Sequence, residues 1–203
     1  MVKKIPSRLE KHGHVRTDNY YWLRERENPE VINYLNRQNA YSDRVMAHTK
    51  IFEDKLFAEI TGRIKQTDIS VPYKQDGWFY YTRYEFGKEY PIFARKKGSL
   101  EQPEEIMLDV NFLAQGHEFF SVGGWAVSSD QNKLAYAVDT QGRRIFTLYL
   151  KNLLTGELLP DVIYEVNENF TWANDNRTLF YAKQDATLRA YRIYRHACGT
   201  DSA

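Results

Sequence analysis

Serine hydroxyls are the first side chains in this sequence to consider for chemistry. Acyl transfer by serine requires a Ser nucleophile beside a His base, an orienting carboxylate and oxyanion donors. In α/β-type hydrolases that serine occupies a Gly-x-Ser-x-Gly turn. Ser99 follows Gly98 but has no second glycine, and Ser121 precedes both Gly123 and Gly124. We therefore predict no catalytic residue in this chain.

Histidine and cysteine do not suggest a metal or redox centre. His12 and His14 are two residues apart, but no third ligand stands at a supporting spacing, so we predict no metal-binding residue. Cys198 follows Arg195 and His196, whose charges would lower its thiol pKa if they converged on it. We expect instead a thiol without a chemical role, either buried or exposed.

The adjacent glycines Gly123 and Gly124 are the nearest approach to a phosphate-binding loop. Neither a helix-start pattern nor Lys followed by Ser or Thr comes after them. A strand kink or a close backbone approach explains the pair better. We therefore predict no cofactor.

Composition limits the classes of partner. Hydrophobic residues make up 42% and charged residues 27% of the chain, as in ordinary globular proteins. The 28 basic and 27 acidic residues are interspersed, which predicts neither a nucleic-acid nor a membrane partner. The start lacks the apolar core of a secretory signal. A single cysteine is typical of reducing compartments and favours a cytoplasmic location.

Helices must supply the amino-terminal part of the fold. Asn28, Pro29 and Glu30 form a helix-start signal, because Asn caps, Pro suits the first position and Glu favours the first turn. Apolar residues then recur at helical spacing over residues 31–64, which predicts one stripe along two successive helices or one bent helix. We expect this stripe to pack against the rest of the protein.

The character of the sequence changes near residue 70. Val71-Pro72 and Asp76-Gly77 are turn and breaker signals, and short aromatic, strand-like runs follow them. We therefore predict two domains, a helical arm over residues 1–70 and a β domain over residues 71–203.

The β domain contains an internal repeat. A shift of 55 positions places Tyr81 on Tyr136, and a further shift of 45 places Tyr136 on Tyr181. The shared unit is an Asp-containing turn, an apolar strand, a polar hairpin turn and a second apolar strand. A repeat of 45 to 55 residues has room for four strands, which favours propeller blades over the shorter units of a solenoid. A β-sandwich remains the alternative.

The last repeat is shorter than the others. In it, Tyr191–Arg195 reads as only the second strand of the hairpin, and we expect the chain to be truncated before a third or fourth strand. The predicted fold class is mainly β with an α-helical amino-terminal arm, an incomplete propeller of about two and a half blades.

Residues 12–24, which include Tyr20-Tyr21-Trp22-Leu23-Arg24, resemble the amino-terminal signature of oligopeptidase B in the prolyl oligopeptidase family of serine peptidases. The likeness extends over nearly the whole chain. It continues through residues 28–35, 38–41, 87–92, 108–111 and 129–130.

This resemblance implies a larger enzyme in which a seven-bladed propeller covers an α/β-hydrolase domain. It implies cleavage of short peptides after Arg or Lys, with the triad in the hydrolase domain. The implied partners are short peptides and the hydrolase domain of the same polypeptide, while the chain itself supplies the gating propeller and the arm. Two alternatives remain, a stand-alone interaction module of the propeller type and prolyl oligopeptidase-like specificity.

Overall fold

The structure, a computed structural model, describes residues 2–201 of the 203-residue chain. Two compact units divide the chain, Met1–Ile64 (unit 1) and Lys65–Ala203 (unit 2). Helices predominate in unit 1 and β-strands in unit 2. Among the helices of residues 2–201, none combines the length and the apolar character needed to cross a bilayer.

Unit 1 is a β-hairpin followed by two helices. Asn28 caps the first helix by accepting a hydrogen bond from the backbone N–H of Glu30, and Pro29 occupies the first helical position, as predicted. The buried Trp22 donates its indole N–H to the backbone oxygen of Lys3 at 3.1 Å. The elements are β1 (Ser7–Lys11), β2 (His14–Asp18), a 3₁₀ turn (Tyr21–Arg24), α1 (Pro29–Met46), a second 3₁₀ turn (Ala47–Thr49) and α2 (Lys50–Gly62).

The apolar stripe lies along two successive helices, as predicted, but little of it is covered. Val31 is 3% exposed, whereas Leu35 is 49% exposed and Phe52 is 65% exposed. The expectation that the stripe packs against the rest of the protein stays a prediction. Helical spacing shows which residues share a face, but it does not show what covers that face.

Unit 2 begins with a four-stranded antiparallel sheet in sequence order, which we call blade 1. Its first turn places Asp76 and Gly77 in the left-handed region, with φ of 48° and 81°, which explains the Asp-Gly pair. A one-turn helix follows, capped by the Asp109 carboxylate. The elements are β3 (Tyr73–Gln75), β4 (Trp78–Arg83), β5 (Ile92–Lys97), β6 (Glu105–Asp109) and α3 (Val110–Leu113).

The remaining strands form one six-stranded antiparallel sheet, also in sequence order. They are β7 (Ser121–Val127), β8 (Lys133–Asp139), β9 (Phe146–Asn152), β10 (Leu158–Trp172), β11 (Thr178–Gln184) and β12 (Ala190–Ala197). The 15-residue β10 belongs to two blades, because Val162 pairs with Tyr149 of β9 whereas Thr171 pairs with Phe180 of β11. Register shifts beside Val166 mark the change of partner. Blade 2 is therefore β7, β8, β9 and the first half of β10, and blade 3 is the second half of β10, β11 and β12.

The sequence repeat matches these blades strand for strand. Tyr81, Tyr136 and Tyr181 occupy the second strand of blades 1, 2 and 3 and are 5%, 3% and 3% exposed. The strand count of the third repeat is wrong, because β12 is its third strand and not its second. The missed first strand is the end of β10, which no turn separates from the strand before it.

Hydrophobic cores cover both faces of β8, the second strand of blade 2. Leu134 and Tyr136 face a cluster that includes Met107 of blade 1. Ala135 and Ala137, which point to the opposite face, lie in a cluster with Leu179 of blade 3. The strand is therefore buried on both sides and reads as a nearly continuous apolar run.

The first strands of blades 2 and 3 approach each other at Gly123 and Gly124. A Cβ atom on Gly124 would lie 2.9 Å from the backbone oxygen of Glu168 in β10. A Cβ atom on Gly123 would lie 2.4 Å from the Phe146 ring. These distances leave no room for a side chain and confirm the prediction of a close approach.

Candidate functional site

A pocket of about 390 Å³ lies where the first strands of the three blades end, and we call it the inner pocket. Its wall is formed by the ends of β7 and β10, by β3, by one residue of β4 and by the turn between β7 and β8. No residue of the lining carries a formal charge. The lining comprises Tyr73, Gln75, Tyr80, Trp125, Ala126, Val127, Ser129, Gln131, Thr171 and Trp172.

Aromatic rings give the inner pocket a fixed wall. Tyr73 stacks on Tyr80 with ring centroids 5.5 Å apart and an interplanar angle of 21°. The Trp125 ring lies 5.9 Å from the Tyr80 ring and 5.7 Å from the Phe93 ring. Trp172 is held by a hydrogen bond of 3.0 Å from its indole N–H to the backbone oxygen of Ala126. These contacts restrain the rings.

The side-chain amide of Gln131 has a defined orientation in the pocket. Its Oε1 accepts hydrogen bonds from the Tyr80 hydroxyl and from the Arg95 guanidinium, the latter at 3.3 Å. Because a guanidinium can only donate, the atom facing Arg95 must be the oxygen. The amide nitrogen is thereby turned away from Arg95, and it has no acceptor among the residues that the structure describes.

Arg95 supports Gln131 from behind the pocket. Its side chain is 1% exposed and donates to Oε1 of Glu105 at 2.6 Å and 3.0 Å. The guanidinium carbon also lies 3.9 Å from the centre of the Trp78 ring, in cation–π geometry. The Glu105 carboxylate compensates the buried charge of Arg95, and these contacts together hold the guanidinium in place behind Gln131.

A residue in the left-handed region recurs at the position of Gln131 in the turn after the first strand of each blade. Gln131 has a φ of 67°, and the equivalent residues Asp76 and Asn176 have φ of 48° and 55°. Asn and Asp adopt the left-handed region most readily among residues other than glycine. Gln131 departs from this preference, and its longer side chain reaches Tyr80 and Arg95 in blade 1.

A second polar cluster lies in blade 1, around Glu104. Arg83 forms a forked ion pair with Glu104, with nitrogen–oxygen distances of 2.8 to 3.1 Å. Hydrogen bonds from Arg83 hold the pKa of Glu104 below its usual range. Burial, and then the hydrogen bond to Glu104 at 2.6 Å, raise the pKa of Tyr81. The cluster joins β4 to the loop before β6.

A buried histidine–carboxylate pair connects β12 of blade 3 to the half of β10 that belongs to blade 2. His196 Nε2 lies 2.6 Å from Oδ1 of Asp161, and Asp161 also accepts the backbone N–H of Gly199 at 2.7 Å. Burial, and then the Asp161 carboxylate, raise the pKa of the neighbouring Cys198 thiol. This direction is opposite to the one that converging arginine charges would cause.

The other residues considered in the sequence do not form a centre. His12 lies in the turn between β1 and β2, His14 begins β2, and Ser121 begins β7. Within residues 2–201, no three His, Cys, Asp or Glu side chains are grouped closely enough to hold a metal ion. The absence of catalytic and cofactor-binding residues stays a prediction.

Sequence reasoning did not identify the inner pocket. The repeat alignment carries a signal that could have located Gln131, because it places this residue at the same turn position as Asp76 and Asn176. The contacts of Gln131 with Tyr80 and Arg95 join residues up to 51 positions apart and leave no local pattern.

The comparison with protein families decides the affiliation. Residues 1–203 match the family model described as prolyl oligopeptidase, N-terminal β-propeller domain. The chain belongs to the prolyl oligopeptidase family. The fold class predicted from the repeat is thereby confirmed, and the sheets described above are blades of a propeller and not of a sandwich.

Relatives in the prolyl oligopeptidase family are longer than this chain. Dipeptidyl aminopeptidase BI of Pseudoxanthomonas mexicana is 47% identical over 95% of the chain, which spans 29% of that protein. Protease 2 of Moraxella lacunata is 34% identical over 99% of the chain, which spans 30% of it. The solved structure of oligopeptidase B from Leishmania major superposes with a TM-score of 0.90 at 28% identity, with 98% of the chain and 31% of that structure covered.

Proposed function

We propose that the chain is the helical arm and first blades of a serine endopeptidase that hydrolyses short peptides after Arg or Lys. The observation that carries the proposal is the match of residues 1–203 to the N-terminal propeller domain of a peptidase family. The proposed catalytic Ser, His and Asp belong to a hydrolase domain of the longer polypeptide. The chain itself then contributes no group to bond cleavage.

The proposed role of the blades is to limit what reaches the catalytic centre. Sheets buried on both faces, as in blade 2, form a stiff wall, because packed strands resist deformation. A wall of this kind around a narrow channel admits an extended peptide more readily than a folded domain. This accounts for a preference for short substrates without any specific contact.

The identity to dipeptidyl aminopeptidase BI supports a second activity, the removal of dipeptides from peptide amino termini. A third specificity, cleavage after proline, is favoured by the TM-score of 0.81 to a prolyl endopeptidase at 25% identity. These activities differ in the substrate group they recognise, and a stand-alone interaction module would have none of them.

We also propose a cytoplasmic location, on the basis of the single cysteine.

Four fluorogenic substrates distinguish these proposals when they are assayed with the full-length protein that contains this chain. Two carry a blocked amino terminus, with either Arg or Pro before the scissile bond, and the other two are the corresponding unblocked dipeptides. An endopeptidase for basic residues cleaves the blocked Arg substrate, whereas a dipeptidyl aminopeptidase requires the free amine. Cleavage of the blocked Pro substrate alone, of the unblocked dipeptides alone, or of no substrate would contradict the leading proposal.

A further inference from the structure

The inner pocket combines three features that together specify a kind of ligand. Its wall is aromatic, its lining residues carry no charge, and the Gln131 amide nitrogen has no acceptor in the described part of the chain. Flat apolar groups stack on tyrosine and tryptophan rings. A side-chain N–H that faces such a wall is suited to a neutral carbonyl oxygen.

We propose that the inner pocket is a docking subsite for an uncharged peptide segment that carries a proline or aromatic ring. The ring stacks against Tyr73 and Trp125, and the Gln131 amide donates to a backbone carbonyl of the same segment. Aromatic grooves with a few placed donors bind proline-rich and aromatic peptides in this way. The inference rests on the proposed function, because it assigns the subsite to a part of the substrate remote from the scissile bond.

The position of the pocket agrees with this role. It opens where the first strands of three consecutive blades end, and Gly123 and Gly124 bring two of those strands together. The blades of a propeller surround a central channel. The side of the sheets on which these first strands converge is the side that faces this channel. A peptide that runs along this side of the sheets would therefore pass the inner pocket.

The buried network behind the pocket explains how the donor is kept available. Arg95 is permanently charged and holds Oε1 of Gln131, so the amide cannot turn its oxygen towards the ligand. The φ of 67° at Gln131 would suit Asn or Gly better, and those residues would be too short to reach Arg95. The N–H groups that remain on Gln131 can bind an oxygen acceptor such as a carbonyl, and they offer nothing to a cationic side chain.

The test measures binding of N-acetyl-Gly-(4-fluoro-Phe)-Gly-amide to the full-length protein by fluorine NMR. The expected dissociation constant is on the order of 1 mM. N-acetyl-Gly-Pro-Gly-amide should compete, and the matching Lys peptide should not. Binding is observed without turnover, so loss of this subsite and failure to hydrolyse Arg or Lys substrates are separate outcomes.

Two variants locate the binding. Gln131→Glu keeps an oxygen for Tyr80 and Arg95 but removes the N–H donors, and it should raise the dissociation constant about fivefold or more. Tyr73→Ala removes a half-exposed stacking ring and should have an effect of about the same size. Gln115→Glu makes the same charge change on the loop after α3 and should leave binding unchanged.

Three results would overturn the proposal. One is the absence of saturable binding to the folded protein, and another is equal competition by the Lys peptide. The third is a dissociation constant that is the same in Gln131→Glu, Tyr73→Ala and the Gln115→Glu control. The peptide would then occupy a different site.

Discussion

Tyr136 stacks on Tyr149 across the central strands of blade 2, with ring centroids 5.7 Å apart and an interplanar angle of 27°. The pair recurs 45 residues later as Tyr181 and Tyr194, again at 5.7 Å and with an angle of 17°. Both pairs are directly opposite in register. The repeat therefore conserves a cross-strand packing unit and not merely a strand length.

We predict that Tyr181→Ala lowers the free energy of unfolding by about 3 kcal/mol, because a buried ring leaves a cavity. Tyr194→Ala, at a half-buried position, should cost less, about 1 kcal/mol. Denaturant unfolding followed by circular dichroism measures both. Tyr164→Ala, where the side chain is 63% exposed, is the control and should cost little. Equal losses at all three positions would contradict the packing role.

We predict that Gly124→Ala destabilises unit 2 by about 2 kcal/mol, because the new Cβ would meet the backbone oxygen of Glu168. A backbone oxygen cannot move away from the new Cβ as easily as the end of a side chain can. Gly62→Ala at the end of α2 is the matched control, since a Cβ there meets nothing within 4 Å. Thermal unfolding should show a lower midpoint for the first variant and an unchanged or higher midpoint for the second. A neutral Gly124→Ala would refute the close approach.

We predict that Glu105→Gln destabilises the protein by about 3 kcal/mol, because it leaves the Arg95 charge buried without its carboxylate. The double variant Arg95→Leu, Glu105→Leu should be more stable than Glu105→Gln, since it removes both charges. Chemical unfolding of the two variants and the parent measures this order. A double variant less stable than Glu105→Gln would contradict the claim that the uncompensated Arg95 charge causes the loss of stability.

We predict that stability falls at alkaline pH through Tyr136. Burial, and then Tyr149, raise its pKa from 10.0 to about 12. The unfolded chain thus releases this proton near pH 10, whereas the folded protein holds it to about pH 12. The contribution is complete below pH 10 and is lost as the pH rises towards 12.

The Tyr136→Phe variant checks this assignment, because it has no phenolic proton to lose. Between pH 9 and 12 its free energy of unfolding should decline less than that of the parent, by on the order of 2 kcal/mol. Tyr84→Phe, at an exposed position, should follow the parent. If Tyr136→Phe also follows the parent, the alkaline loss arises from other groups.

Local sequence signals predicted much of the fold. The Asn28 cap, the Asp76-Gly77 turn and the Tyr81–Tyr136–Tyr181 repeat each depend on residues near one another or on a regular period, which the sequence displays directly. The first strand of blade 3 was missed, because β10 runs from one blade into the next without a turn.

The inner pocket depends on interactions that the sequence does not display. Gln131 bonds to Tyr80 and Arg95 of another blade, and the pocket exists only when three strand ends meet. The spacing of the apolar residues in unit 1 predicted the helices. It did not predict how exposed those residues are, because exposure depends on tertiary contacts.

The most direct test of the account compares hydrolysis of a blocked Arg substrate by the purified 203-residue chain and by the full-length protein that contains it. The account predicts turnover by the longer protein alone, abolished by a serine-reactive inhibitor. Inhibitor-sensitive turnover by the 203-residue chain would contradict the claim that it carries no catalytic residue.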